Sequence, residues 1–112
     1  MRRGFEKVSG YEYVSIPQRK TKQSAGYDIE SAIDAVITPG ETKLIPIGLK
    51  VYMKPYEWLG IYIRSSLAVK YGIVLANSVA VIDSDYYNNP DNEGHIMLPV
   101  RNVSKAVYNI RK

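Results

Sequence analysis

The sequence is a succession of short segments rich in valine, isoleucine and tyrosine, separated by glycine, proline, asparagine and aspartate. Branched and aromatic side chains favour strands, and closely spaced turn residues are typical of β-sandwiches and barrels. The predicted strands are 5–8, 27–31, 35–38, 42–46, 49–53, 58–64, 78–82, 95–102 and 106–110. No repeat or linker divides the 112 residues, so we expect one all-β domain covering 1–112.

Three local patterns refine this prediction. Residues 58–64 are apolar on both faces, which indicates a central strand covered on both sides. Pro39-Gly40 predicts a turn. A single short helix is expected at 66–70, with Ser65 or Ser66 as its N-cap and Gly72 at its end, followed by a buried apolar strand in 72–76.

Composition excludes several kinds of site. The sequence has no cysteine and one histidine, which rules out disulfides, thiolate metal sites and histidine clusters. His95 follows the long polar turn 88–94, so we expect it to be exposed. The apolar runs are far shorter than the ~20 residues of a membrane span, and residues 1–6 do not resemble a signal peptide. We therefore expect a cytoplasmic protein with no membrane partner.

The net charge of +4 favours an anionic partner: nucleic acid, a lipid surface or a phosphorylated metabolite. The densest basic cluster, Arg19-Lys20-Thr21-Lys22, has no interleaved aromatic residues and is interpreted as a solvated loop. Because nucleic-acid binding has only this modest charge behind it, we expect no nucleic-acid partner.

Arg64-Ser65-Ser66 is the strongest candidate for phosphate binding. N–H groups at a helix start favour anions, the hydroxyls add donors, and a guanidinium fits phosphate oxygens. The alternative is a capping serine beside a surface arginine. Ala25-Gly26-Tyr27-Asp28 is a weaker signal, since it also fits an ordinary turn into a strand.

Asp83 and Asp85 stand two residues apart, and on a strand they would share a face. They could provide a general base next to a ligand-positioning aromatic residue, Tyr86, or they could simply open a polar hairpin. A calcium loop is excluded because Tyr87 and Asn88 occupy the positions of its required residues. An aspartic-protease strand is excluded because no glycine follows Ser84.

Three blocks in this order resemble the trimeric dUTP pyrophosphatase (dUTPase) family. They are Ala25-Gly26-Tyr27-Asp28-Ile29, Arg64-Ser65-Ser66-Leu67-Ala68 and Val81-Ile82-Asp83-Ser84-Asp85-Tyr86, and the stretch 72–77 also resembles family sequence. The resemblance covers nearly the whole chain. It implies a jelly-roll-like distorted β-barrel, a homotrimer with sites between subunits, and hydrolysis of dUTP to dUMP and pyrophosphate.

The resemblance also implies a role for each site residue. Asp83 would be the general base that activates water. Phosphates would be held by Arg64, Ser65 and Ser66. The uracil and deoxyribose would be bound by Asn77, Asp83 and Tyr86: Asn77 and the backbone of the following hairpin would read the uracil edge, and Tyr86 would pack beneath the deoxyribose. Mg²⁺ would bind through the triphosphate, with Asp28 orienting its water rather than binding the metal directly.

The sequence departs from the family pattern in three places. Ser66 replaces a frequent glycine, and the hairpin after Tyr86 is longer by roughly residues 88–93. The sequence given ends at Lys112, about where the family's fourth motif, Gly-x-Arg-x-x-Gln, begins. We expect a C-terminally truncated form that lacks motif 4 and the motif 5 arm, with nucleotide-binding elements retained and turnover impaired.

Two rivals remain at this point. The related dCTP deaminases share the fold and an Arg-Ser-Ser block, but use a glutamate as proton shuttle, and Glu93 in the turn is the only nearby candidate. The other rival is a non-catalytic module of phage type that binds a nucleotide or contacts a repressor-like protein through the long hairpin.

Overall fold

The computed structural model describes residues 2–112, which form mostly short strands. The elements are β1 (Gly4–Lys7), β2 (Ala35–Ile37), β3 (Thr42–Pro46), β4 (Leu49–Tyr52), β5 (Trp58–Ile61), α1 (Ser65–Tyr71), β6 (Ile73–Leu75), β7 (Ala80–Asp83), β8 (Met97–Asn102) and β9 (Tyr108–Ile110). A 3₁₀ turn, Ser84–Tyr86, follows β7. Within residues 2–112, no helix is long and apolar enough to cross a membrane.

The strands pair in small antiparallel sheets that join distant parts of the chain. β1 pairs with β4, β2 with β9 and β5 with β7, while β8 lies between β3 and β6. Their inward side chains meet in one apolar core. The core contains Ile37, Ile45, Ile47, Leu49, Val51, Met53, Ile61, Ile73, Leu75, Ala80, Ile96 and Val100. A mostly-β architecture with one short helix agrees with the predicted fold class.

Several local predictions are confirmed. The strand predicted at 42–46 has the bounds of β3, and the apolar run after α1 forms β6 with two buried residues. At the predicted Pro39-Gly40 turn, the Glu41 N–H donates to the Thr38 carbonyl at 3.0 Å and Gly40 has φ +80°. Proline at the first central position and a positive-φ glycine at the second are the requirements of a type II turn.

The strand predicted at 27–31 is wrong. Only an isolated bridge between Gln18 and Asp28 forms there. The Ser31 hydroxyl donates to the Ile33 carbonyl at 2.6 Å and accepts from the Ile33 N–H at 3.1 Å. Such local side-chain bonds compete with ladder formation, so the segment turns instead of extending.

The prediction that 58–64 is a central strand covered on both sides is also wrong. β5 ends at Ile61 and, within the described residues, pairs only with β7, so its other edge is open. Trp58 and Tyr62 are 56% and 66% exposed. The apolar residues on both faces of this segment therefore form a surface next to a cleft, and the segment is not a buried central strand.

The buried side chain of Asn102 links β8 by hydrogen bonds to β2 and to the segment before β9. Its side chain is fully buried, and Nδ2 donates to the carbonyls of Ile37 (2.9 Å) and Ala106 (2.7 Å). Its Oδ1 accepts from the N–H and hydroxyl of Ser104, at 2.9 and 2.7 Å. All hydrogen-bonding positions of this amide are thus filled by neighbours of β2, β8 and β9.

We expect Asn102→Asp to lower the free energy of unfolding by about 2–4 kcal/mol, because a carboxylate would face two carbonyl oxygens in a buried site. Chemical denaturation would measure the effect. Asn109→Asp, the same change at an exposed position on β9, is the matched control and should cost under ~0.5 kcal/mol. Equal unfolding midpoints for the two variants would contradict this account of Asn102.

Candidate active site

The Arg64-Ser65-Ser66 block lies at the start of α1, with all three side chains exposed. The N-cap is Arg64, in an extended conformation and without a side-chain cap bond, so the predicted serine cap is wrong. Backbone N–H groups of Leu67 and Ala68 donate to the Arg64 carbonyl instead. The serine hydroxyls are therefore not used as caps. The predicted end of the helix is confirmed, since Gly72 is its C-cap at φ +65°.

A cleft of about 1120 Å³ lies along the open side of β5. It is lined by Arg64 and by Asp28, so the structure brings these two predicted residues together. Arg19 also lines it, with its guanidinium 5.3 Å from the centre of the Tyr27 ring. The cleft therefore joins apolar walls to cationic groups, which suits an anionic ligand with a flat or apolar part.

The cleft contains basic residues that sequence reasoning missed. The sequence pattern predicts a solvated loop around Arg19 and indicates no role for Arg3. In the structure both line the cleft, where Arg3 pairs with Glu57. The basic cluster at 19–22 was the available signal for Arg19, whereas nothing local indicates that residue 3 meets residue 57.

The second group of predicted residues lies along β7 and the turns on either side of it; β6 and β7 are consecutive but pair with different strands, β8 and β5. Asn77 lies exposed in the turn between β6 and β7, where its carbonyl accepts from the Val79 N–H at 2.7 Å. Asp83 ends β7 opposite Trp58 of β5, and its carboxylate is exposed. Within residues 2–112 this carboxylate makes no hydrogen bond or ion pair, so it is free to engage water or a ligand.

The predicted shared strand face of Asp83 and Asp85 is wrong. The strand stops at Asp83, and Asp85 lies within the following 3₁₀ turn. The Ser84 hydroxyl donates to the Pro55 carbonyl at 3.0 Å, which fixes the start of this turn against the segment before β5. The two carboxylates therefore belong to different local structures, and only Asp83 belongs to β7.

Tyr86 is half-buried, and both hydrogen-bonding roles of its hydroxyl are filled. The hydroxyl donates to the His95 carbonyl at 2.9 Å and accepts from Asn92 Nδ2 at 2.7 Å. The Tyr86 carbonyl accepts from Asn89 Nδ2, also at 2.7 Å. The ring is thus held by the long hairpin that follows it.

The predicted residues form two groups in the single chain. Asp28 and Arg64 line the cleft, and Ser65 and Ser66 follow Arg64 directly in the first turn of α1. Asn77, Asp83 and Tyr86 do not line it, although β7 is hydrogen-bonded to the cleft strand β5. One chain therefore presents two partial sites instead of one closed pocket.

His95 is buried, and the expectation of an exposed histidine is wrong. Its Nε2 accepts from the Gly48 N–H at 3.0 Å, and the Tyr11 ring packs edge-on at 4.7 Å between centroids. Burial lowers the pKa of the imidazole, partly offset by the nearby Glu93 carboxylate. Since Nε2 is an acceptor, the ring is neutral, and no sequence signal places Gly48 beside it.

The lowered pKa of His95 makes stability depend on pH. In the unfolded chain the imidazole of His95 takes up a proton near pH 6.5, whereas in the folded chain it does so only at lower pH. The free energy of unfolding is therefore highest above pH 6.5 and falls as the pH drops below that value. Denaturation of wild type at pH 5.5–7.5 measures this slope. His95→Gln keeps an acceptor for the Gly48 N–H but does not titrate, so its profile should be flat there. A slope unchanged in the variant would contradict the assignment.

Comparison with known proteins identifies relatives along the whole chain. The dUTPase family model matches residues 12–112. The deoxyuridine 5′-triphosphate nucleotidohydrolase of Lactococcus lactis subsp. lactis (strain IL1403) is 54% identical over 112 residues, covering 98% of this chain and 75% of that protein. The corresponding protein of Tolumonas auensis is 40% identical over 99 residues, covering 86% of this chain and 62% of its own length. The chain thus spans about three fifths to three quarters of these relatives.

Solved structures agree. The crystal structure of dUTPase from Streptococcus mutans matches with a TM-score of 0.91 and 43% identity, over 96% of this chain and 85% of that one. The dUTPase of phage phi11 of S. aureus matches with a TM-score of 0.75 and 27% identity, over 93% and 61%. A mutant form of that phage enzyme, at 26% identity and a TM-score of 0.74 over 95% and 63%, is described as revealing the coordination of a structural Mg(II) ion. The jelly-roll-like fold expected from the three motifs is confirmed, and the chain belongs to the dUTPase family.

Proposed function

We propose that this protein is a dUTP diphosphatase, which hydrolyses dUTP to dUMP and pyrophosphate. Family membership and the activity named for its relatives support this assignment. The observation that carries it is the unengaged, exposed carboxylate of Asp83 at the end of β7, the strand that follows the Asn77 turn and precedes the tethered Tyr86. These are the groups that the reaction needs for water activation, base recognition and sugar packing.

In this proposal Asp83 is the general base. Its carboxylate takes a proton from water while the water oxygen bonds to phosphorus, and the bond to the departing pyrophosphate breaks with its electron pair going to the leaving oxygen. Asn77 and the turn backbone bind the uracil edge. Tyr86 packs against the deoxyribose, so a 2′-hydroxyl would meet the ring. The protein's contribution is mainly positioning and charge neutralisation.

The triphosphate is assigned to Arg64, Ser65 and Ser66. Their side chains are exposed and their capping capacity is unused, so they are available for phosphate oxygens. Arg19, which also lines the cleft, adds positive charge. A guanidinium suits this role because it binds two oxygens of one phosphate in a planar arrangement.

Mg²⁺ fits this site through the substrate. Within residues 2–112, no three acidic or histidine side chains are grouped in a way that could hold a metal. Triphosphate oxygens would supply the ligands, as is common for Mg²⁺, and Asp28 in the cleft would orient metal-bound water. The ion would neutralise charge on the leaving pyrophosphate.

We further propose that the working form is a homotrimer with sites between subunits. The split of the site residues into a cleft group and a second group along β7 supports this, since the second group of one chain could complete a neighbour's cleft. The open edge of β5 and the exposed Trp58 and Tyr62 beside it provide apolar surface for such a contact.

The deaminase rival is disfavoured by the position of Glu93. Its carboxylate accepts from Lys50 Nζ at 2.9 Å and from the Ser9 N–H at 3.2 Å. The Lys50 contact leads the interactions that lower its pKa, so it stays ionised and occupied rather than shuttling protons. An assay of pyrophosphate and ammonia, with dUTP and dCTP in parallel, separates the two functions. Pyrophosphate from dUTP supports the proposal, and ammonia from dCTP contradicts it.

A further inference from the structure

The hairpin between Tyr86 and His95 is organised around the Tyr86 hydroxyl. Asn92 Nδ2 donates to this hydroxyl, and Asn92 Oδ1 accepts from Asn89 Nδ2 (2.9 Å) and from the Gly94 N–H (3.0 Å). Asn89 Oδ1 accepts in turn from the backbone N–H groups of Asp91 and Asn92. The Asn92 side chain is therefore held in place before it reaches the tyrosine.

The same hairpin is fixed to the body of the protein by Lys50. This side chain is only 11% exposed, and its ammonium donates to Asn88 Oδ1 at 2.6 Å and to Glu93 Oε2 at 2.9 Å. Both partners have positive φ, +56° and +68°, so the backbone keeps a conformation that non-glycine residues seldom adopt. The ion pair between Lys50 of β4 and Glu93 offsets the energetic cost of this backbone conformation and holds the hairpin against β4.

From these contacts we propose that Asn92 is a positioning residue for Tyr86, and that the hairpin 87–94 determines how strongly the site selects deoxyribose over ribose. The proposal rests on the proposed function, in which Tyr86 packs against the sugar. With its hydroxyl donating to His95 and accepting from Asn92, the ring is tethered at its far end. Admitting a 2′-hydroxyl requires the ring to move, and each tether opposes that movement.

The test compares binding of non-hydrolysable imido analogues of dUTP and UTP, with Mg²⁺, by isothermal titration calorimetry. Wild type should prefer the deoxy analogue. Asn92→Ala should reduce that preference about fivefold, the value of one neutral hydrogen bond, mainly through tighter binding of the ribose analogue. Asp91→Ala is the matched control, since within residues 2–112 its exposed side chain has no recorded hydrogen bond.

A double-mutant cycle shows whether Asn92 acts through the tyrosine. In a Tyr86→Phe background the hydroxyl is gone, so Asn92→Ala should change the preference no further. The Cζ chemical shift of Tyr86, followed by NMR with labelled tyrosine, reports on the hydrogen bonds of the hydroxyl and needs no ligand. It should change in Asn92→Ala and stay as in wild type in Asp91→Ala.

The outcomes separate the two proposals. Equal binding of both analogues by wild type overturns the proposed function, and with it the sugar-selecting role. A wild-type preference that Asn92→Ala keeps within twofold overturns the positioning role alone, as does an unchanged Cζ chemical shift of Tyr86. Additive effects in the double-mutant cycle would also overturn it, because Asn92 would then act by another route.

Discussion

Replacing Asp83 by asparagine is expected to lower kcat for dUTP about 10²- to 10⁴-fold, the usual contribution of a positioned general base. Asparagine has nearly the same shape but cannot take a proton from water. Because Asp83 is exposed and its carboxylate makes no hydrogen bond or ion pair within residues 2–112, its replacement should leave the fold nearly unchanged. Steady-state kinetics with Mg²⁺-dUTP measures the loss.

Asp85→Asn is the matched control for this prediction. The residue is also an exposed aspartate, two positions further on, but it lies in the 3₁₀ turn and not at the end of β7. We expect its kcat to stay within a few-fold of wild type. If Asp83→Asn also kept near wild-type turnover, or if both variants lost it equally, Asp83 would not be the base.

Mixing two inactive variants should restore activity. If each site takes its base from one subunit and its phosphate-binding arginine from another, co-refolded Asp83→Asn and Arg64→Ala chains form some sites with both native residues. In an equal random mixture about a quarter of sites would be intact, so about a quarter of wild-type activity should return. Arg64→Ala and Asp83→Asn alone should each be nearly inactive.

The control for this experiment is a mixture of Asp83→Asn with Asp83→Ala, in which every possible site lacks the base. It should stay inactive under the same refolding conditions. Differently tagged chains would verify that mixed oligomers form. Mixed oligomers without recovered activity would contradict a site shared between subunits and would place the base and the arginine in one chain's site.

Local patterns were sufficient to predict much of this protein. The strand at 42–46, the Pro39-Gly40 turn and the glycine that ends α1 each depend on neighbouring residues, and each is confirmed. The three motifs predicted the family in the same way, because their order and spacing are properties of the sequence.

The errors arose where distant contacts decide the structure. His95 is buried because its ring accepts from Gly48, 47 residues away, and Lys50 is covered because Glu93 returns to it across 43 residues. The residues that neighbour His95 and Lys50 in the sequence do not indicate either contact. The strand expected around Asp28 failed for the opposite reason, since a local serine turn ended the pairing after one bridge.

The division of the site into two groups was also beyond the reach of local patterns. The motifs named Asp28, Arg64 and Asp83 without indicating which of them share a cleft. Only the pairing of β5 with β7 and the open edge of β5 place Arg64 in the cleft and Asp83 outside it.

The central claim is tested most directly by measuring pyrophosphate release from Mg²⁺-dUTP by the purified 112-residue protein, with Mg²⁺-UTP in the same assay. The account predicts pyrophosphate and dUMP in equal amounts from dUTP, and much slower release from UTP. No release from dUTP, or equal rates with the two nucleotides, would contradict it.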